Sequence, residues 1–186
     1  MTRSPSEALE ALSAGRDVLL APSPDSISGL QSKFLPVFWS PVHFPKQAGT
    51  MGIMCDPEHP ALSGFPNNGH SDWQWWSSAR NAKVIDMDSV AGGEAIVRVI
   101  DNFVNNRKLA YIFEAKCGNG RLLFSAIDLL NPDLDTPDIK AFRASLIDYV
   151  NSPSFNPAGT ITEESLTNLT IPVKKSVADT AISIYE

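Results

Sequence analysis

Cysteine is scarce in this 186-residue chain: Cys55 and Cys117 are its only two, and neither belongs to a C-x-x-C pair. That excludes a disulfide framework or a zinc knuckle as the source of stability. Blocks of lysine or arginine are missing as well, and the formal net charge is −6 with a pI near 5.0. A surface that on average repels phosphate makes nucleic acid and anionic lipid poor partners. No apolar run approaches a membrane span, and the opening MTRSPSEALEAL lacks the apolar centre of a secretory signal. Phosphate-cradling loops are absent too, because Ala91-Gly92-Gly93-Glu94 precedes a strand pattern instead of joining a strand to a helix. There are no internal repeats. The length and the 43% hydrophobic content suit one domain.

What is present has α/β grammar. Ser4-Pro5-Ser6-Glu7 is a capping box, followed by Leu9 and Leu12 at helical spacing and by Gly15 as a stop. The uniformly apolar Val18-Leu19-Leu20-Ala21 predicts a short strand buried on both faces. From Pro22 to about Ala95 the chain is rich in Pro, Gly, Ser and Asn and has little periodicity. Residues 96–103, 109–116 and 121–127 then read as strands, the last two joined by a hairpin that Asn119-Gly120 signals. Thr136-Pro137 opens a helix whose apolar positions Ile139, Phe142, Leu146, Tyr149 and Val150 cover a sheet face, and a short helix follows at 163–169. The expected organisation is one α/β domain over 1–155 and a C-terminal tail over 156–186.

The chemistry-bearing residues gather in the aperiodic stretch. All four tryptophans and all three histidines fall between positions 39 and 76, and a long irregular segment in a compact domain is usually a functional loop. Ser71-Asp72-Trp73-Gln74 forms a second capping box, which predicts a helix over 71–78. On it Trp73 and Trp76 share a face and Trp75 points elsewhere, so that one face enters the core and the remaining indole is free to stack on a sugar ring. The candidate ligand-binding residues are Trp39, His43, Asn67, His70, Asp72, Trp73, Gln74 and Trp75, with Asn68 as a further hydrogen-bonding group. Against this stands the plainer alternative that the tryptophans only pin the loop.

Other chemistries find less support. Cys55, Asp56, His59 and His70 offer metal-binding atoms, but their spacing follows no motif, so neither a metal nor a cofactor is expected. A thiol enzyme using Cys55 with His59 or His70 needs a glycine-flanked turn that Met54-Cys55-Asp56-Pro57 does not supply. Asp56, Glu58, Asp72 and Glu114 are acids whose convergence on one cleft the sequence does not establish.

Three motif stretches carry a family resemblance: FWSPVHFP over 38–45, MGIMCDPEHPAL over 51–62 and HSDWQWW over 70–76, continued by IVRVIDNF over 96–103, FEAK over 113–116 and SAIDL over 125–129. Together they resemble the C-terminal region of bacterial glycoside hydrolase family 2 proteins, which are β-galactosidase-like. In such proteins the segment is similar to a class I glutamine amidotransferase-like, flavodoxin-like domain without the amidotransferase nucleophile elbow. The resemblance implies a three-layer α/β/α sandwich with a long irregular Trp/His-rich insertion, a periplasmic or extracellular setting and polysaccharide degradation. It carries no catalytic residue onto this chain. A doubly wound domain begins with a strand, so the initial helix implies that an upstream strand is missing or supplied by the tail, through 171–173 or 181–184.

The expected function is therefore that of a non-catalytic accessory domain of a glycoside hydrolase, with neighbouring domains of a larger polypeptide as partners. The alternatives are a module binding oligosaccharide or polysaccharide and, last, a thiol hydrolase or amidotransferase-like enzyme using Cys55.

Overall fold

The computed structural model describes residues 1–32, 50–80, 82–101 and 105–171. In chain order the elements are α1 (Pro5–Ser13), β1 (Val18–Leu20), β2 (Leu30–Gln31), β3 (Thr50–Cys55), α2 (Trp76–Ala79), β4 (Lys83–Asp86), β5 (Glu94–Asp101), β6 (Lys108–Cys117), β7 (Gly120–Ser125), α3 (Pro137–Val150), β8 (Thr160–Ile161) and α4 (Glu163–Leu169). Short 3-10 turns intervene, of which Pro60–Leu62, Trp73–Trp75 and Met87–Val90 matter below.

Local chemistry explains where the helices begin. The Ser4 hydroxyl accepts the Glu7 N–H, and Pro5 occupies the first turn, where a missing N–H costs nothing. The reciprocal half of the box differs from expectation: the Ser4 N–H goes to the Thr2 hydroxyl, which itself donates to the Glu7 carboxylate. Likewise the Thr162 hydroxyl accepts the Ser165 N–H at the start of α4.

All eight strands join one sheet, and β6 organises it. Along one edge of β6 lie β4, paired at Leu109 and Ala110, and then β7, paired from Ile112 to Cys117. Along the other lie β5, paired from Lys108 to Glu114, and then β8, at Lys116 and Cys117. Beyond these, β1 extends the sheet past β7 in parallel, β3 extends it past β5, and β2 lies outside β4.

This arrangement corrects the expected three-layer α/β/α sandwich of flavodoxin-like or glutamine amidotransferase-like type. That fold is built on parallel strands joined by crossover helices. Here the sheet is mixed, with five antiparallel and two parallel pairings among the described strands, and only four helices accompany eight strands. The connections supply the reason. A parallel crossover takes about a dozen residues, whereas β5, β6 and β7 are linked through residues 102–107 and 118–119. These three strands, joined so closely, return antiparallel. A second correction concerns the stretch from Pro22 to Ala95, which contains β2, β3 and β4 although its sequence shows little period.

Both faces of the sheet are covered. Leu19, Val97, Val99, Leu109, Tyr111 and Leu123 point to the face under α3, where they meet Phe142, Leu146, Tyr149 and Phe155. Val18, Leu20, Phe113, Ala115, Leu122 and Phe124 point to the opposite face and meet Ala8 and Leu12 of α1 and Leu166 and Leu169 of α4. Double-sided burial is why β1 and residues 122–124 of β7 read as unbroken apolar runs.

The hairpin turns at Gly118-Asn119, one residue earlier than Asn119-Gly120 suggests. Cys117 pairs with Gly120, and Gly118 adopts φ 58°, a conformation open to glycine at little cost. A closer approach occurs at the start of β8. A Cβ on Gly92 would lie 2.2 Å from the Thr160 carbonyl oxygen, and one on Gly159 would lie 1.9 Å from that of Gly92. The two backbones pack in contact only because neither residue has a side chain.

At the outer edge of β1, Thr2 forms a parallel bridge to Leu20, with its N–H on Leu19 and its carbonyl accepting from Ala21. The upstream position is thus taken by a single residue. The tail positions proposed for it, 172–173 and 181–184, lie outside the described residues, while Ile171 is exposed. No helix among the described residues is long and apolar enough to cross a membrane.

Candidate functional site

The segment that follows β3 is tied down residue by residue. Cys55 N–H donates to the Gly69 carbonyl, Met54 bridges His70, and the Ile53 N–H donates to the Ser71 hydroxyl at 2.7 Å. Residues 69–71 therefore run along the outer edge of β3. The Asn67 side-chain oxygen accepts the Gly69 N–H and the Cys55 thiol. His59 caps the Pro60–Leu62 turn, its Nδ1 accepting the Ala61 N–H. From α3, Ser145 donates to the Ala61 carbonyl and accepts the Gly64 N–H.

Trp75 is the main anchor. Its ring is fully buried, edge-on to Phe65 at 4.8 Å and to Phe142 of α3 at 5.3 Å. Its place among the ligand-binding candidates is accordingly corrected, since this indole is core. Residues 71–78 do not form one helix either. Ser71 is spent on β3, and the chain runs through the 3-10 turn Trp73–Trp75 into the single helical turn of α2. With three residues per 3-10 turn, Trp73 and Trp76 share a face as expected, but that face looks outward while Trp75 looks in.

The outward face is a ledge. Trp73 is 81% exposed, and its ring meets the half-buried Trp76 edge-on at 5.9 Å. The Arg80 guanidinium lies over Trp76 at 5.5 Å from the ring centre, a cation–π contact. Beside the ledge, Asp72 accepts from the Asn68 amide at 3.2 Å through one carboxylate oxygen, while its other oxygen is buried without a hydrogen-bond partner among the described residues. His70 and Gln74 are exposed, and His70 Nδ1 is paired with the Ser71 carbonyl. The fold thus brings together Asn67, Asn68, His70, Asp72, Trp73 and Gln74. Trp39 and His43 lie outside the described residues. Arg80 escaped the sequence reading, although its place four residues after Trp76 was the available signal.

Among the described residues near the ledge, neither Cys55 nor His59 is set up for nucleophilic chemistry. Burial, reinforced by Asp72 and Asp56, pushes the Cys55 thiol up to about 11, the reverse of the electropositive setting that activates a cysteine. Burial also lowers the His59 pKa against the opposing pull of Asp56, and its Nδ1 lone pair is committed to Ala61. The acids do not converge: Asp56 caps the Glu58 N–H, whereas Glu114 sits in the interior and accepts the Tyr149 hydroxyl at 2.7 Å. Among the described residues no group of three or more His, Cys, Asp or Glu side chains converges to hold a metal ion.

A separate open cleft of about 610 Å³ lies on the outer side of β3 and β5, lined by residues that include Met54, Met87, Arg98, Ile100, Arg107 and Lys108. Arg107 in its lining is closed on Asp101 at 2.7 Å.

The profile of the family described as Domain of unknown function (DUF8487) matches residues 1–171, which takes in every element above. The chain belongs to the DUF8487 family. No curated protein matches it. For this DUF8487 domain the matched span includes β8 and α4 as well as the ledge.

Proposed function

We propose that this DUF8487 domain is a non-catalytic accessory domain of a carbohydrate-active protein, and that it contributes the Trp73 ledge as a stacking platform for a sugar ring. One observation carries the reading. Trp73 holds an 81% exposed indole at a fixed place, next to a turn whose other tryptophan is locked into the core. A large exposed aromatic loses favourable burial unless something covers it, and a flat indole face suits the C–H face of a pyranose. Asn68, His70 and Gln74, exposed and within five residues of Trp73 in sequence, offer hydrogen-bonding groups for hydroxyls. The family 2 glycoside hydrolase resemblance of the 51–62 and 70–76 motifs agrees with such a setting, and an extracytoplasmic location goes with polysaccharide breakdown.

The test is tryptophan fluorescence of the full chain titrated with a panel of neutral and acidic oligosaccharides and polysaccharides. The wild type should give a saturable shift with at least one sugar, lost in Trp73→Ala while the far-UV circular dichroism stays unchanged. A flat response across the panel would sink the sugar reading. It would leave a second one, docking of the ledge on a neighbouring domain, which the pairing of Trp with Arg on one exposed stripe favours, since these are the residues enriched at interface hot spots.

A further inference from the structure

Trp73, Trp76 and Arg80 are three and four residues apart and form one outward stripe. Arg80 differs from the other well-placed arginines. Arg3 closes on Asp128, Arg107 on Asp101 and Arg121 on Asp17, whereas Arg80 is exposed and has no ion pair among the described residues. The acid that adjoins Trp73 in sequence, Asp72, does not neutralise the stripe. One of its oxygens is buried and the other is engaged by Asn68. Stacking on Trp76 further restricts the guanidinium and leaves its N–H edges available, and a planar fork of this kind matches a carboxylate in bidentate fashion.

We infer that the ledge takes an acidic oligosaccharide, a uronic-acid chain, with one sugar ring on Trp73 and a ring carboxylate on Arg80; this rests on the sugar-binding reading above. Consecutive contacts of 5.9 and 5.5 Å carry the stripe from the Trp73 ring to the guanidinium, so the carboxylate comes from the stacked ring or from the next ring along. A neutral sugar gains the stacking and leaves the cation without an anion. The formal net charge of −6 opposes any anion at long range, but at physiological ionic strength charges beyond about 8 Å are largely screened, and the local cation decides.

The experiment is isothermal titration of the full chain with a uronic-acid oligosaccharide and with the same oligosaccharide after its carboxyl groups are reduced to alcohols. The wild type should bind the acidic form about tenfold more tightly, the size of one charge-assisted hydrogen-bonding partner. Arg80→Gln should bring the acidic form down to the affinity of the reduced one, and Trp73→Ala should abolish binding of both, each variant keeping the thermal midpoint of the wild type. Equal or tighter wild-type binding of the reduced sugar, or a preference that survives in Arg80→Gln, would overturn the inference and leave the stacking platform standing. Failure of the wild type to bind either form or any sugar of the wider panel would remove the platform and the inference together.

Discussion

The β6–β7 hairpin and the segment from Cys55 to Arg80 are held by different means. The hairpin is a backbone ladder from Ile112–Ser125 to Cys117–Gly120, turned by one glycine and buried through alternating side chains on two faces. In the segment the backbone leans on individual side chains: Asn67 for Gly69, Ser71 for Ile53, His59 for Ala61 and Ser145 for Gly64. A ladder spreads its stability over many equivalent bonds. An anchored loop concentrates it in a few residues, and so can leave a neighbouring indole such as that of Trp73 largely exposed.

The sharpest break of this contrast is within the turn itself. Trp75→Ala should cost about 3–5 kcal/mol, because it removes a fully buried ring from between Phe65 and Phe142. Two positions away, Trp73→Ala should stay within about 0.5 kcal/mol of the wild type, as exposed substitutions do. Urea unfolding measures both, and comparable losses would mean that the two indoles are not divided between core and surface. A smaller effect is expected of Ser71→Ala, about 1–2 kcal/mol, since the Ile53 N–H loses its acceptor at a part-buried site. An unchanged urea midpoint would show that water replaces the hydroxyl and that β3 does not depend on this tie.

The smallest effect concerns pH and belongs to the sheet. Burial raises the Glu114 carboxyl above the ordinary range, with Glu94 across the β5–β6 pairing adding to it and the Tyr149 hydroxyl opposing it. A folded pKa above the unfolded one favours the folded state fully below the unfolded value, about 4.3, and that contribution is lost as pH rises through the folded value. Glu114→Gln keeps an acceptor for Tyr149 and removes the titration. The fall in urea midpoint from about pH 4 towards neutrality should be shallower in the variant; parallel curves for the two proteins would refute it.

Features written in short stretches of sequence were readable there. The Ser4 cap, the doubly buried 18–21 run, the strands that became β5, β6 and β7, and the helices opened at Pro137 and Glu163 each depend on neighbours within a few residues. β3 and β4 were not legible. Gly52 and a register shift interrupt the first, the second has only four residues, and both are strands because of partners far along the chain. The parallel sandwich failed for a related reason: apolar runs report burial but not direction, and direction was set by connection length. At the candidate site, the clustering of tryptophans pointed to the segment that holds the ledge, but whether Trp73 or Trp75 faces inward depended on the 3-10 geometry and on Phe142 from α3. Arg80 acquired meaning only when Trp76 was seen beneath it.

The contact between Gly92 and Gly159 reaches beyond this one chain. Each position has its side chain vetoed by a carbonyl oxygen of the other segment, at 2.2 Å from Thr160 and 1.9 Å from Gly92. As a constraint on heredity, the docking of β8 beside β6 reduces the permitted alphabet at two distant sites to a single letter. Any descendant that writes another residue at either site must seat β8 elsewhere.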